Sequence, residues 1–543
     1  MKIALAQLNY KVGDLEGNSR KIIEQIRASA AAGAGLVVFS EMALTGSPAG
    51  DLLEFDELTG RSEALMREIA AECRGIAAIV GAPSRNRTGR GKPLHNSAWM
   101  LAGGEVKQLI HRQVSVNYDV ADDSRYFEPG AGDITTGING LQLAVITGDL
   151  TPEGALPVNR RTLPEGVSLI ISIAASPFHY NRPLIRRKAI RGLALETGLP
   201  VIYVNQTGAN TSLIYDGGSF VSDAGGNVIR ELPLFSEAVE VVEYDASWSG
   251  GRPAPEVVID EEERDIALIH DALILGIRDY FRKSGFKKAI LGLSGGIDSA
   301  VVMALATEAL GAENVYGIML PSHFSPSHSV DDAHALAINL GCRADIIPIE
   351  EPFHTLEKSL KPHFGDLPFG LTEENMQARI RGVILMAMSN KFGYILLNTS
   401  NKSESAVGYG TLYGDMCGGL AVLGDVYKTD VYRLARYINR NGEIIPLHTI
   451  VKPPSAELRP DQKDSDSLPD YDILDKLLFR YIEKQNGKQE LVEMGFDPGL
   501  VARVLKMVNA NEWKRYQSAP VLRVSPRAFG SGRRMPLVAA FPG

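Results

Sequence analysis

The residues best placed to do chemistry are SGGIDS, 294–299. A glycine pair directly after an apolar run and before a helical pattern lets backbone N–H groups close on an anion, and the helix N-terminus adds a favourable dipole. That is the chemistry of a phosphate site. The stretch lacks the Gly-Lys-Ser/Thr ending of a Walker A loop and the third glycine of a dinucleotide-binding fingerprint. An ordinary strand-to-helix turn capped by Ser294 and Asp298 is the plainer alternative. Because the chain carries a formal net charge of −9, an anionic substrate must be met locally, by a few placed Lys, Arg and backbone N–H groups.

Such a loop has to be held between a strand and a helix, and the flanking residues provide both. The strand KKAILGLS (287–294) leads into it, a helix over 298–310 follows, and VYGIMLP (315–321) reads as the next strand. Strand, Gly-rich turn, helix, strand is the opening unit of a doubly wound parallel sheet. A helix over about 262–283 precedes the unit. Helix 328–340, strand ADIIPIE (344–350), helix 373–391 and strand YILLNTS (394–400) continue the alternation. In the first half, LVVFSEMAL (36–44), IAAIVGAP (76–83), LQLAVITGD (141–149), SLIISIAAS (168–176) and PVIYVNQTG (200–208) read as short buried strands. Helical spacing occupies 18–32 and 183–197. Further paired strands are expected over 212–232, turning at Asp216-Gly217 and Gly225-Gly226.

The segment SWSGGRPAPEVVIDEEERD (247–265), dense in Gly, Pro and charge, separates the two patterns. The expected organisation is α/β throughout: a domain over 1–246, a linker over 247–262 and a second domain over 263–543. The 543 residues exceed one core, since single cores stop growing near about 250–300 residues. With 45% hydrophobic and 22% charged residues, the chain is neither disordered, collagen-like nor disulfide-built. Only three Cys occur, and MKIALAQLNYKVGD is neither a signal peptide nor a span, so a cytoplasmic protein is expected. No run approaches the apolar length of a bilayer crossing, and the acidic balance argues against nucleic-acid or membrane partners.

SGGIDS resembles the pyrophosphate loop of the ATP pyrophosphatases, which split ATP into AMP and pyrophosphate while activating a carboxylate or carbonyl as an adenylate. Residues 397–435, LNTSNKSESAVGYGTLYGDMCGGLAVLGDVYKTDVYRLA, narrow the resemblance to the NAD synthetases, which carry T-G-N-K-S-E, G-Y-x-T-x-Y-G-D and D-x-x-K-T in this order. NMQARIRG (375–382), SAELRPDQKDSDSLPDYDILD (455–475) and KRYQSAPVLRVSPRAFGSGRRMP (514–536) agree. Ser400 departs from the family's usual Gly. The resemblance implies ATP contacts from Ser294, Gly295, Gly296, Asp298, Ser299 and Thr399. It implies Mg²⁺ held by Asp298 and Glu404, whose carboxylates suit that ion. Lys402 and Lys428, with Asp298, would be the catalytic groups, the lysines neutralising charge that shifts onto pyrophosphate. Asn375, Arg379, Arg381, Thr411 and Asp415 would bind deamido-NAD.

The first half is similar to the carbon-nitrogen hydrolase, or nitrilase, superfamily, through VVFSEMALTGSPAGDLL (37–53) and NQTGANTSLIYDGGSFVSDAGG (205–226). This implies a nitrilase-like α-β-β-α sandwich, the fold of the glutaminase domain in glutamine-dependent NAD synthetases. Active members use a Glu, a Lys and a Cys. Glu41 falls on the Glu position, but Arg112 stands at the Lys and Thr147, in ITGD (146–149), at the Cys. The thiols present, Cys73, Cys342 and Cys417, lie elsewhere in the chain. A threonine hydroxyl is far less acidic than a thiol, and Arg is bulkier than Lys and always charged.

The resemblance therefore implies an NAD synthetase that amidates deamido-NAD through an acyl-adenylate, releasing AMP and pyrophosphate, with a pseudo-glutaminase domain and free ammonia as nitrogen donor. One alternative is glutamine dependence through an unconventional nucleophile or a partner glutaminase. Another is a regulatory protein with both halves decayed, against which the retained charged groups of the second half argue. A homo-oligomer, at least a dimer, is expected.

Overall fold

The computed structural model describes residues 1–117, 119–149, 162–250, 252–260, 262–455, 457–459, 462–530 and 532–540. Tyr118, Gly251, Glu261, Ala456, Pro460, Asp461 and Ser531, which fall in the segments read above, lie outside the described residues. The chain divides into two compact units, Met1–Arg264 and Asp265–Gly543.

The first unit stacks two six-stranded sheets between helices. One sheet runs Ala238–Glu243, Lys2–Gln7, Leu36–Phe39, Ala77–Arg85, Leu94–Ala102, Glu105–His111; the other runs Val228–Glu231, Phe220–Ser222, Val201–Asn205, Val167–Ala174, Leu141–Thr147, Thr135–Ile138. Side-chain alternation explains the layers. Ile3, Leu5, Leu36 and Val38 of one sheet meet Leu143, Val145, Leu169 and Ile171 of the other. Their neighbours Ala4, Ala6, Val37 and Phe39 face outward onto helices Leu15–Ala31 and Asp56–Glu72. On the far side Ala144, Ile146 and Ile170 pack against helix Arg182–Thr197. With both faces covered, the central strands are continuous apolar runs. The result is an α-β-β-α sandwich.

Three details differ from the sequence reading. The opening residues form the strand Lys2–Gln7, second from the edge of its sheet, hidden from pattern analysis because Ala4 and Ala6, poor strand formers, fill alternate positions. The strand expected over 36–44 ends at Phe39, and Ser40–Thr45 turn away with Met42 at φ 52°. Asp216-Gly217 does not join paired strands: Leu213–Asp216 pairs with Thr207–Asn210, whereas Phe220–Ser222 pairs with Val201–Asn205 and, across Gly225-Gly226, with Val228–Glu231. Gly217 permits that crossing at φ 69°, where a Cβ would lie 2.3 Å from Gln7 Cδ. The segment read as a linker hydrogen-bonds to the first unit, Ala224 N–H donating to Trp248 O at 2.8 Å and Ala254 N–H to Gly225 O at 2.8 Å.

The second unit holds a five-stranded sheet in the order Arg343–Ile346, Val315–Met319, Ala289–Gly292, Ile395–Asn398, Leu420–Ala421, all parallel. This is a doubly wound order that reverses between Ala289–Gly292 and Ile395–Asn398. Ligands of such sheets bind outside the carboxyl ends of the strands at that reversal. Among the described residues, no helix is long and apolar enough to cross a membrane.

Candidate functional site

SGGIDS leaves the sheet at that reversal. Gly295 takes φ 77°, and a Cβ there would lie 2.1 Å from Ser329 O, so only glycine fits. Ser294 Oγ accepts from Gly296 N–H at 3.2 Å, and Ser299 Oγ donates to Gly296 O at 3.0 Å, which shapes the turn from within. Helix Ile297–Leu310 starts from Gly296, and among the described residues no side chain caps its first N–H groups. The cap by Ser294 or Asp298 that an ordinary turn would have is absent, and unsatisfied donors at a helix start favour an anion.

The loop opens on a cavity of about 1070 Å³, lined among others by Ser294, Gly296, Asp298, Ser299, Thr399, Ser400, Glu404, Asp415, Lys428 and Arg381. Such a volume lies at the top of the usual range for small-ligand sites. On its wall Lys428 Nζ donates to Asp298 Oδ2 and, at 3.2 Å, to Glu404 Oε1. Asn401 ties the group together: its Nδ2 donates to Asp298 Oδ1 at 2.9 Å while its Oδ1 accepts from Glu404 N–H at 3.0 Å, capping helix Lys402–Val407. Burial pushes the Glu404 carboxyl up to about 8; Lys428 opposes that rise and the Asp298 and Asp464 charges add to it. Burial raises Asp464 likewise, and its oxygens accept from Tyr409 at 3.2 Å and Tyr471 at 3.0 Å. Asp298 and Glu404 thus share one ammonium with Asp464 close to the group, a set of oxygen ligands that suits a divalent cation with oxygen preference.

The deamido-NAD group divides. Asp415 lines the cavity and is lifted to about 6 by burial, although its Oδ1 accepts from Thr411 N–H at 2.6 Å. Arg381 also lines it, lowered to about 10 by burial, with Nε donating to Leu320 O at 3.0 Å. Asn375, Thr411 and Arg379 are not on the wall, nor is Gly295 of the residues read as ATP contacts. Asn375 Oδ1 accepts from Thr411 Oγ1 at 2.7 Å, and Arg379 Nε donates to Leu412 O at 3.2 Å, so these residues brace the wall from behind. Ser400 N–H donates to Asn398 Oδ1 at 3.0 Å without a positive φ, so this turn does not need the family's glycine.

Lys402 is displaced from the role read for it. It is 0% exposed and off the cavity wall, with Nζ 2.9 Å from Asp425 Oδ1, 2.8 Å from Glu483 Oε1 and 2.7 Å from Ser525 Oγ. Asp425 in turn accepts from Val524 N–H at 2.8 Å and Ser525 N–H at 2.7 Å. The ammonium is an internal anchor joining the start of helix Lys402–Val407 to the C-terminal segment. Residue type does not separate it from Lys428; only the direction of the side chain does. Sequence reasoning also passed over Asn401 and Asp464, which sit inside the blocks quoted above but carry no signal of their own.

In the first unit, Glu41 sits in the turn after Leu36–Phe39, where Gly81 lets two backbones meet: a Cβ there would lie 2.5 Å from Glu41 Cα. Glu41 Oε1 accepts from Asn96 Nδ2 at 2.6 Å and from an Arg112 terminal nitrogen at 3.0 Å; Oε2 accepts from Ala175 N–H at 2.8 Å. The same Arg112 nitrogen lies 3.1 Å from Asp123 Oδ2. Burial raises the Glu41 carboxyl, Arg112 opposing and Asp123 adding to the rise. Thr147 ends its strand 5% exposed, its Oγ1 without a hydrogen-bond partner among the described residues. Cys73 is buried in the core under helix Asp56–Glu72, its thiol pushed up to about 12 by burial.

A doubly wound sheet with an anion loop at its strand-order reversal, beside paired carboxylates and a lysine, defines a nucleotide-using α/β enzyme. Known proteins agree on which one. The NAD synthase family model matches residues 269–518 and the carbon-nitrogen hydrolase model residues 2–251. A glutamine-dependent NAD(+) synthetase of Synechocystis sp. is 44% identical over 555 residues, with 99% of both chains covered. That of Thermotoga maritima is 39% identical over 580 residues, covering 100% of this chain and 99% of its own. The solved glutamine-dependent NAD+ synthetase of Acinetobacter baumannii, in complex with ADP, is 35% identical with a TM-score of 0.77 over 99% of this chain and 98% of that one. The chain belongs to the two-domain NAD synthetases, which are ligases.

Proposed function

We propose that this chain converts deamido-NAD to NAD in the second unit and takes free ammonia as its nitrogen donor. The nicotinate carboxylate attacks the α-phosphate of ATP; pyrophosphate leaves and an acyl-adenylate forms. Ammonia then displaces AMP. Ser294, Gly296 and the open start of helix Ile297–Leu310 receive the phosphates, and Lys428 balances charge moving onto the leaving group. Asp298 and Glu404 would hold Mg²⁺, which when bound adds further neutralisation of the pyrophosphate oxygens. Arg381 and Asp415 orient the dinucleotide. Lys402 positions Glu404 and Asn401 from behind.

The observation that carries ammonia as donor is the pair Arg112 and Thr147. Amide hydrolysis by this fold requires a thiolate; our reading puts Thr147 at that position, and the guanidinium of Arg112 is locked onto Glu41. The relatives favour a second reading, because each is named glutamine-dependent. Under it the chain draws nitrogen from glutamine through another nucleophile or a partner glutaminase. Glutamine labelled with ¹⁵N in its amide, supplied to the purified chain with an ammonia scavenger, separates the two. Our reading expects no label in NAD and full activity on ammonium; efficient labelling defeats it. Assembly into at least a dimer is part of the proposal, checked by light scattering.

A further inference from the structure

Among the described residues, two groups outside the carboxylate–Lys428 cluster bring imidazoles and a carboxylate together: His328, Asp332 and His448, and His323, Glu350 and His354. They differ in one decisive respect. Asp332 Oδ2 already receives Lys452 Nζ at 2.9 Å and His448 Nδ1 at 2.8 Å. A dication there would face an ammonium sharing its own ligand atom. Glu350 and Glu357, by contrast, have no Lys or Arg ion-pair partner among the described residues; each meets only His354.

We propose that His323, Glu350 and His354 form a binding site for a late first-row divalent cation of the Zn²⁺ class, tying the cavity rim to helix Glu350–Phe364.

Ligand chemistry and geometry support this. Two imidazoles and a carboxylate are the donor set of borderline-soft cations and do not suit Mg²⁺, which seeks oxygen. One ligand atom from each residue lies within 4.8 Å of the others. A tetrahedral site with bonds of about 2.0–2.1 Å separates its ligands by about 3.4 Å, so exposed side chains need close by little more than about 1.4 Å. Glu350 and His354 are one helical turn apart, with Glu350 Oε1 3.8 Å from His354 Nε2, so both project from one face. His354 Nδ1 lies 3.3 Å from Glu357 Oε2. If that nitrogen carries the proton, Nε2 presents its lone pair beside Glu350. A carboxylate behind the imidazole is the arrangement that fixes the tautomer of metal-bound histidines. The third ligand comes from another element. His323 stacks on His354, ring centroids 6.1 Å apart at 18°, and lies on the cavity wall in the segment after strand Val315–Met319. A bound cation would therefore restrain a wall segment of the nucleotide cavity without touching Asp298 or Glu404.

The test is calorimetric titration of Zn²⁺ into the chelator-stripped, full-length protein with saturating Mg²⁺. One Zn²⁺ per chain is expected. His354→Ala should weaken that binding at least about tenfold and Glu357→Gln by about tenfold, the scale of a lost metal ligand or its carboxylate support. His328→Ala should leave it unchanged. Substituting Co²⁺ should give a low-symmetry visible absorption band in the wild type that His354→Ala loses. In NAD formation with saturating Mg²⁺, Zn²⁺ should slow the wild type more than His354→Ala, whose basal rate is expected to be normal. Equal Zn²⁺ affinity in wild type and His354→Ala, or loss of binding in His328→Ala instead, overturns the site. Binding with equal inhibition of both proteins overturns the tie to the rim.

Discussion

Arg112 occupies the space that a side chain on residue 148 would need: a Cβ on Gly148 would lie 2.5 Å from Arg112 Cζ. The guanidinium also donates through Nε to Val114 O at 3.0 Å, so it is fixed at several points. Gly148 thus makes room for Arg112, which in turn holds Glu41, so the bulkier cation is accommodated by the missing side chain.

That packing makes Gly148 unforgiving. Its φ of 106° strains any L side chain, and a methyl would overlap the guanidinium. Gly148→Ala should destabilise the first unit by about 1–3 kcal/mol, the range for overpacking. Thermal unfolding should show it, and Arg112→Lys in the same chain should recover part of the loss through a non-additive cycle.

The two lysines of residues 402 and 428 should separate cleanly. Lys428→Met removes the ammonium facing the cavity, and NAD formation with saturating ammonium should fall by about 10²-fold or more, the scale for losing a preorganised charge donor. Asp298→Ala should abolish it.

Lys402→Met instead removes the ammonium between Asp425 and Glu483, both essentially without solvent access. Breaking a buried pair costs about 3–5 kcal/mol, so the expected result is a lower melting temperature. Any loss of turnover should follow loss of folded protein. A variant that melts normally yet fails only in kcat would restore Lys402 to direct chemistry.

Stability should carry a signature of His270. Burial alone would lower its pKa from 6.5, but the hydrogen bond with Asp271 and the Glu308 carboxylate 3.2 Å from Nε2 outweigh burial and bring it to about 9. A folded-state pKa above the unfolded one means the stabilisation is complete below about 6.5 and is lost as pH rises through about 9. Melting curves of the wild type should therefore converge on those of His270→Gln across that window. A constant difference from pH 6 to 10 would show that His270 contributes through packing alone.

Local physics made parts of this protein readable in one dimension. SGGIDS reads as an anion loop because a tight turn between strand and helix needs glycine, and the absent thiol is visible because a missing residue type needs no coordinates. Alternation of apolar strands and helices likewise implied two α/β cores. Strand Lys2–Gln7 escaped notice because Ala4 and Ala6 fill its alternate positions and alanine has little strand preference. The tertiary structure alone decided that Lys428 faces the cavity while Lys402, in the same stretch of chain, anchors the C-terminal segment. It alone closed Arg112 over Glu41. A side chain's charge is written in its residue type, but whether that charge meets a ligand or an internal carboxylate depends on packing among residues far apart in the chain.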